Sequence, residues 1–334
     1  NNYYSIRRRI EVDDFSLPLE AWSANMFTAK IDTLLVQAVA PVQELLATPI
    51  ADYREALSIG SDTLFMPTLY DFVLYGAIDT YQQIGRTSPI QPLAQESLLV
   101  PAQKFISTVL NAQNKYDNRI LQLYAEAIKA HTAEKISAPL MMWDLRRIEY
   151  LGRNFYLHDN DSFYRNYIEL LGNLLEDYRS MPYSVEAASV LVAALCNSGR
   201  YDDARRALDL CDQWIAAYPQ YDRINELVNQ RTSLTAKSAS LTIKDVAYPG
   251  ENDSIKLSFR NVDTLTVNIY RQPDTLSFKT QQQYRPQNDW DRSHPVYTHD
   301  YALNAPLSLV TRVEYIDFPR LAPGFYVVEM LIDG

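Results

Sequence analysis

Proton transfer and metal binding near neutral pH call first on histidine, and this chain has four: His131, His158, His294 and His299. They are scattered over both halves, and no two stand at the spacing that puts a metal pair on one helix face. The nearest approach to a metal loop is His158-Asp159-Asn160-Asp161. A calcium loop alternates carboxylates up to a glycine and closes on a distant glutamate. Phe163 and Tyr164 stand where the third ligand and the glycine belong, so the segment reads as a helix-capping loop with Asp161 or Ser162 as the cap. Gly-x-Ser-x-Gly, His-Glu-x-x-His and glycine-rich phosphate loops are absent, and 9 glycines leave little backbone to cradle a phosphate. Cys196 and Cys211 fall on apolar helix faces, where a thiol packs as a small hydrophobe; a disulfide between them is the alternative. The carboxylate pairs Glu176-Asp177 and Asp202-Asp203 take exposed helix positions and read as surface charge. The expectation is a non-catalytic chain with no catalytic, cofactor-binding or metal-ligating residues and no cofactor.

Composition narrows the partners. With 47% hydrophobic and 22% charged residues the chain is too apolar to be disordered, and 334 residues suffice for two cores. A net charge of −10 repels phosphate backbones, so nucleic acid is not an expected partner. The basic run Arg7-Arg8-Arg9 is followed at once by Glu11, Asp13 and Asp14. No apolar run reaches the length of a membrane span; the uncharged stretch Thr33 to Gln43 is interrupted by Gln37 and Pro41. The opening Asn1-Asn2-Tyr3-Tyr4 has neither an initiator Met nor a signal peptide, and is expected to be a processed or truncated start. The 24 tyrosines, apolar in body and polar at the tip, suit repeat cores and wet interfaces.

The elements divide the chain in two. From Leu17 to Leu234 the apolar spacing is helical. Stripes run through Phe27, Ile31, Leu34, Leu35 and Ala38; through Leu69, Phe72, Val73, Gly76 and Ala77 after Pro67; and through Phe105, Val109 and Ala112 after Pro101. Further stripes hold Ile120, Tyr124, Ala127 and Ile128; then Leu145, Ile148 and Leu151; then Phe163, Tyr167, Leu170, Leu171, Leu174 and Tyr178. Pro41 is expected to end the first of these helices. Ala187, Ala188, Leu191 and Leu195 suit one helix, and Gly199-Arg200-Tyr201-Asp202-Asp203-Ala204 with Leu208, Cys211 and Tyr218-Pro219 suits the next. That pair resembles a tetratricopeptide repeat, in which glycine permits the turn and a small Ala204 lets the helices approach. Near Lys237 the period changes to two: Ile255, Leu257 and Phe259, then Leu265, Val267 and Ile269, alternate with polar residues. The spacing predicts later strands over Thr311–Phe318 and Phe325–Ile332, and a turn at Tyr248-Pro249-Gly250-Glu251. A polar stretch from Gln272 to Pro295 carries Tyr284, Arg285, Trp290 and Arg292, types favoured at protein contacts, although packing against its own domain explains it too. The expected architecture is α+β: an irregular, TPR-like helical solenoid over residues 1–236, then a partial antiparallel β-sandwich over residues 237–334 that is cut short at its end.

Several of these stretches in order resemble alpha-2-macroglobulin-like proteins of Bacteroidetes. Met66-Pro67-Thr68-Leu69-Tyr70-Asp71-Phe72-Val73, with Ala77-Ile78-Asp79 after it, is similar to a Pro-Thr-Leu-Tyr-Asp-Phe motif in their helical N-terminal region. Tyr3-Tyr4, Arg7-Arg8-Arg9, Trp22-Ser23 and Lys30-Ile31-Asp32 resemble the segment before it. Ala247-Tyr248-Pro249-Gly250, Leu257-Ser258-Phe259-Arg260-Asn261-Val262, Val267-Asn268-Ile269-Tyr270-Arg271 and Phe318-Pro319-Arg320-Leu321-Ala322-Pro323-Gly324-Phe325-Tyr326 resemble a first macroglobulin domain, an immunoglobulin- or fibronectin-III-like sandwich. The resemblance implies one segment of a very large extracytoplasmic protein, periplasmic or attached to the cell envelope, that traps proteases. In the family a protease cuts a bait region, the molecule rearranges, and a thioester in Cys-x-Glu-Gln can couple to the attacker. Cys196 precedes Asn-Ser-Gly and Cys211 precedes Asp-Gln-Trp, so neither matches, and no bait region is recognisable. The expected role is a structural, non-catalytic part of a broad-spectrum protease inhibitor. Its partners are proteases, met through the full-length parent, and further macroglobulin domains downstream. The alternative is a cell-envelope repeat scaffold whose helical groove binds protein or glycan.

Overall fold

The computed structural model describes residues 14–16, 18–57, 62–85, 98–108, 115–133, 137–155, 161–243, 254–272, 292–305, 307–317 and 319–332. Among them lie ten α-helices: α1 (Ala24–Val39), α2 (Val42–Ala47), α3 (Leu69–Gly85), α4 (Ala102–Ser107), α5 (Lys115–Ala130), α6 (Ala138–Phe155), α7 (Asp161–Asp177), α8 (Ser184–Asn197), α9 (Tyr201–Ala217) and α10 (Ile224–Thr235). Six strands follow: β1 (Ser238–Thr242), β2 (Ser254–Arg260), β3 (Thr264–Gln272), β4 (Tyr297–Ala302), β5 (Arg312–Asp317) and β6 (Phe325–Ile332). The protein is thus mainly helical with small antiparallel sheets after the helices. The expected turn at Tyr248 to Glu251 lies outside the described residues, as do Val109, Ala112, Tyr284, Arg285 and Trp290.

The chain forms two compact units, Asn1–Ala187 and Ala188–Gly334. In the first, helices start and stop where their local chemistry dictates. Ser23 accepts a hydrogen bond from the Met26 amide at 3.2 Å and so caps α1, which ends just before Pro41. Two stripes differ from their expected registers. In α1, Met26 and Val39 are buried, while Leu34 is 50% exposed and Ala38 is exposed. In α3 the buried face runs through Tyr70, Asp71, Leu74, Ala77, Ile78 and Tyr81, and Phe72 is 40% exposed. The reason is Asp71: a carboxylate with enough donors around it can be buried, and once it is, the inward face turns past Phe72. In α5, α6 and α7 the stripes match, except that Tyr167 of α7 is only half-buried. Ile120, Tyr124, Ala127 and Ile128 of α5 are buried, as are Leu145, Ile148 and Leu151 of α6 and Phe163, Leu170, Leu171 and Leu174 of α7.

The second unit begins within α8. Gly199 has φ of +69°, the left-handed backbone that glycine adopts without penalty, and it turns the chain from α8 into α9. Leu191 and Leu195 of α8 and Ala204, Leu208 and Cys211 of α9 are buried. Gln230 Nε2 donates to the Ser189 carbonyl at 3.1 Å, joining α10 to α8. The strands form two three-stranded antiparallel sheets, in the orders β1-β2-β5 and β4-β3-β6. Register places Leu241 opposite Leu257, Ile255 opposite Ile316, and Val267 opposite Met330. Ile255, Leu257 and Phe259 of one sheet and Leu265, Val267 and Ile269 of the other are buried in a single hydrophobic core with Val262, Leu303 and Ile316. Each such side chain contributes about 1.5–3 kcal/mol, so the alternating strands carry most of this core's stability.

Helix and strands of this unit are clasped by one residue. Asn261 follows β2, is buried, and has φ of +56°, a conformation that asparagine tolerates better than most residues. Its Nδ2 donates to the Leu234 carbonyl at 2.7 Å and the Ala236 carbonyl at 3.1 Å, which are orphaned acceptors at the end of α10. Its Oδ1 accepts from the Leu309 amide at 2.8 Å, and its own amide donates to Ser308 Oγ at 3.0 Å. Beside it Arg260 Nη2 donates to the Ser233 carbonyl at 2.7 Å. Side chains from the end of β2 therefore serve as the C-terminal cap of α10.

Candidate functional site

The helices α3, α5 and α6 surround a cleft of about 290 Å³ in the first unit. Asp71, outside the lining, holds one of the lining residues, Trp143. Thr68 precedes α3, and its amide and hydroxyl both donate to Asp71 Oδ2, at 3.1 and 2.7 Å, while the Asp71 amide donates back to Thr68 Oγ1 at 3.3 Å. This reciprocal pair is a capping box with aspartate in the third helical position. The second carboxylate oxygen accepts Trp143 Nε1 at 2.8 Å and lies 2.7 Å from His131 Nε2. Burial alone would raise the Asp71 pKa; the hydrogen bond and charge of His131, with the bonds from Thr68 and Trp143, outweigh it and hold the carboxyl below its ordinary range. Asp71 thus pins Trp143 of α6 and His131 beyond α5 to the start of α3.

Arg146 lies one turn along from Trp143 on α6. Its guanidinium carbon sits 4.7 Å from the Tyr75 ring centroid and 5.7 Å from that of Trp143, within cation–π range. Burial lowers its pKa from the usual arginine value, and Tyr75, Tyr124, Glu149 and Asp71 pull it back up; arginine stays protonated regardless. Its one polar contact is Met66 Sδ, 3.7 Å from Nη1, and among the described residues it pairs with no carboxylate. Tyr124 packs against Trp143 and Tyr150 at centroid distances of 6.3 and 5.7 Å. At the rim Glu149 pairs with Arg153 at 2.7 Å.

A second cavity, of about 410 Å³, is lined by Leu140, Leu170, Leu174 and Tyr178 with Asp144 at its wall. There Arg147 is completely buried: Nε donates to Asp144 Oδ1 at 2.8 Å, and Nη1 donates to the carbonyls of Leu98 and Val100 at 3.2 and 3.0 Å. Its Nη2 lies 2.7 Å from the same Asp144 oxygen without hydrogen-bond alignment. Burial pushes the Asp144 carboxyl up and the Arg147 guanidinium down, and their mutual attraction opposes both. The pair is a structural tie that holds the segment before α4 onto α6.

The residues that could have carried catalysis are dispersed. His131 binds Asp71, His158 lies outside the described residues, and His294 contacts Ser293. His299 stacks with Tyr297 and meets Tyr301 edge-on. Among the described residues no three histidine, cysteine or acidic side chains gather as a metal site. Both cysteines are free; burial pushes the Cys211 thiol up to about 12, far from a thiolate at neutral pH. Glu176 pairs at the surface with Arg179 at 3.1 Å, and Arg292 of the polar stretch reaches Glu329 of β6 at 2.8 Å. Sequence reasoning missed the cleft. The one signal was Thr68-x-x-Asp71, a capping pattern; nothing local announced that His131 and Trp143 would share its carboxylate. No family model matches the chain, and no curated protein or solved structure matches it either.

Proposed function

We propose that the chain is a non-catalytic structural segment of a bacterial alpha-2-macroglobulin-like protease trap at the cell envelope, combining a TPR-like helical part with a macroglobulin-type β-sandwich. The observation that carries this reading is the clasp of Asn261 and Arg260 on the end of α10. A trap works by rearranging rigid pieces around a cut bait, and a helix capped by strand residues is suited to pass a displacement on without bending. Two sheets with a common core suit a sandwich; the turn at Gly199 between α8 and α9 suits a tetratricopeptide pair. The Pro-Thr-Leu-Tyr-Asp-Phe stretch has a physical role in keeping with a scaffold, since Thr68 and Asp71 cap α3 and Tyr70 is buried. Proteases would be met by the full-length parent, and further macroglobulin domains would follow on the same chain.

The test compares this chain with its full-length parent, each mixed with one protease and given a large protein substrate or a small peptide substrate. The parent should suppress cleavage of the large substrate and spare the small one; this chain alone should suppress neither. Suppression by the chain alone would overturn the division of labour, and no effect of the parent would overturn the trap reading.

A further inference from the structure

We infer that the cleft between α3, α5 and α6 is a binding site for a small acidic saccharide, a pyranose bearing a carboxylate of the uronic acid type. The inference rests on the cleft alone and is independent of the trap reading. Its first support is Arg146. Arg146 is half-buried in the wall of the cleft; two aromatic rings and a thioether engage it, and no carboxylate among the described residues pairs with it, so its remaining N–H donors face the cleft's water, which a ligand can replace. The rings also fix the guanidinium in place, so its fork of N–H donors is set in advance for two parallel bonds to a carboxylate. Trp143 cannot swing away, because its indole N–H is committed to Asp71.

The remaining groups distinguish a sugar acid from a simple anion. The Gln82 side chain and the hydroxyls of Tyr75 and Tyr124 line the cleft and make no hydrogen bond among the described residues. Asp79 accepts from Gln83 through Oδ2 at 2.7 Å and keeps Oδ1 available, and Asn154 spends only its Nδ2, on the Tyr150 carbonyl at 2.8 Å. The lining therefore offers both donors and acceptors, as sugar hydroxyls, each donor and acceptor at once, require. The Tyr75 ring is 47% exposed and offers an apolar face for the C–H side of a pyranose. A peptide ending in a large apolar side chain would find little aliphatic surface, since Ile78 and Ile120 of the lining are only 3% and 1% exposed. A volume of about 290 Å³ is at the small end of ligand sites and fits a single substituted ring. The net charge of −10 opposes an anion at long range, but salt screens it beyond about 8–10 Å; within the lining Glu149 is paired with Arg153, which leaves Arg146 set against the one carboxylate of Asp79.

The test is calorimetric or NMR titration of the whole chain with galacturonate and glucuronate, against glucose, acetate and a dipeptide with a free carboxylate. A uronate should bind with Kd on the order of 1 mM or tighter, at least about tenfold more tightly than each control. Arg146→Met should abolish that preference and Gln82→Ala should weaken uronate binding severalfold, with helical circular dichroism unchanged in both. If Arg146→Met does not fold, Gln82→Ala, which alters a partly exposed surface position, decides the matter alone. The inference is overturned if no uronate binds the folded protein, if acetate or the dipeptide binds as well as the uronate, or if either folded variant binds uronate like the original. None of these results bears on protease trapping, so the two proposals fail separately.

Discussion

Asp71 illustrates what a single side chain can commit. It has no solvent exposure and accepts from Thr68 twice, from Trp143 and from His131. Asp71→Asn removes the charge and presents an amide N–H to one set of donors, and should destabilise the chain by about 2–3 kcal/mol, the scale of hydrogen bonds to a charged group. Its pH dependence follows from the direction of the shift. The folded-state pKa of Asp71 is depressed, so its contribution is full above the unfolded value of about 3.9 and is lost as pH falls through the lower folded value. Denaturant titrations should find the gap between original and variant narrower at about pH 3 than at about pH 5; a gap that widens over that range would contradict the arrangement. This residue was half legible. Thr-x-x-Asp before an apolar run announces a cap, whereas its partners lie 60 and 72 residues on and belong to tertiary structure.

Individual elements were the most readable level, and the misses have physical causes. The stripes of α5, α6 and α7 and the alternation of β2 and β3 are dense in apolar residues, and burial follows them. Strand β4 was not placed, because Tyr297-Thr-His-Asp-Tyr-Ala offers two half-buried tyrosines and an exposed middle where a strand signal needs regular alternation. Glycine tests element reasoning directly. Gly76 lies inside α3 and Gly199 lies after α8, and an added Cβ would meet nothing within 4 Å at either. Only backbone conformation separates them. Gly76→Ala should raise stability by about 0.5–1 kcal/mol through helix propensity, and Gly199→Ala, at φ of +69°, should lower it by about 1–2 kcal/mol. Melting temperatures moving in the same direction would sink this account.

For the whole molecule, the change of period and the limits of compactness fall at different places. Helical spacing ends at Thr235 and strands begin at Ser238, but the second compact unit opens at Ala188 and takes α9 and α10 with the sheets. Periodicity reports the local conformation of a segment; which helices pack on a sheet depends on contacts such as Asn261 to Leu234, 27 residues apart, that leave no trace in either pattern. A piece cut before α8, residues 184–334, should therefore unfold cooperatively and melt well above a piece cut at residue 237, which loses the acceptors of Asn261 and Arg260. Equal melting temperatures for the two pieces would refute the importance of the clasp. The same clasp has a consequence for synthesis. As the chain leaves the ribosome, α10 emerges with its last carbonyls bound only by water, and their partner at position 261 follows some two dozen residues later. The loop that steadies Asn261 through Ser308 and Leu309 arrives later still. The end of α10 is thus completed backwards along the chain, by residues translated after it, and this unit should become resistant to proteolysis on the ribosome in one late step.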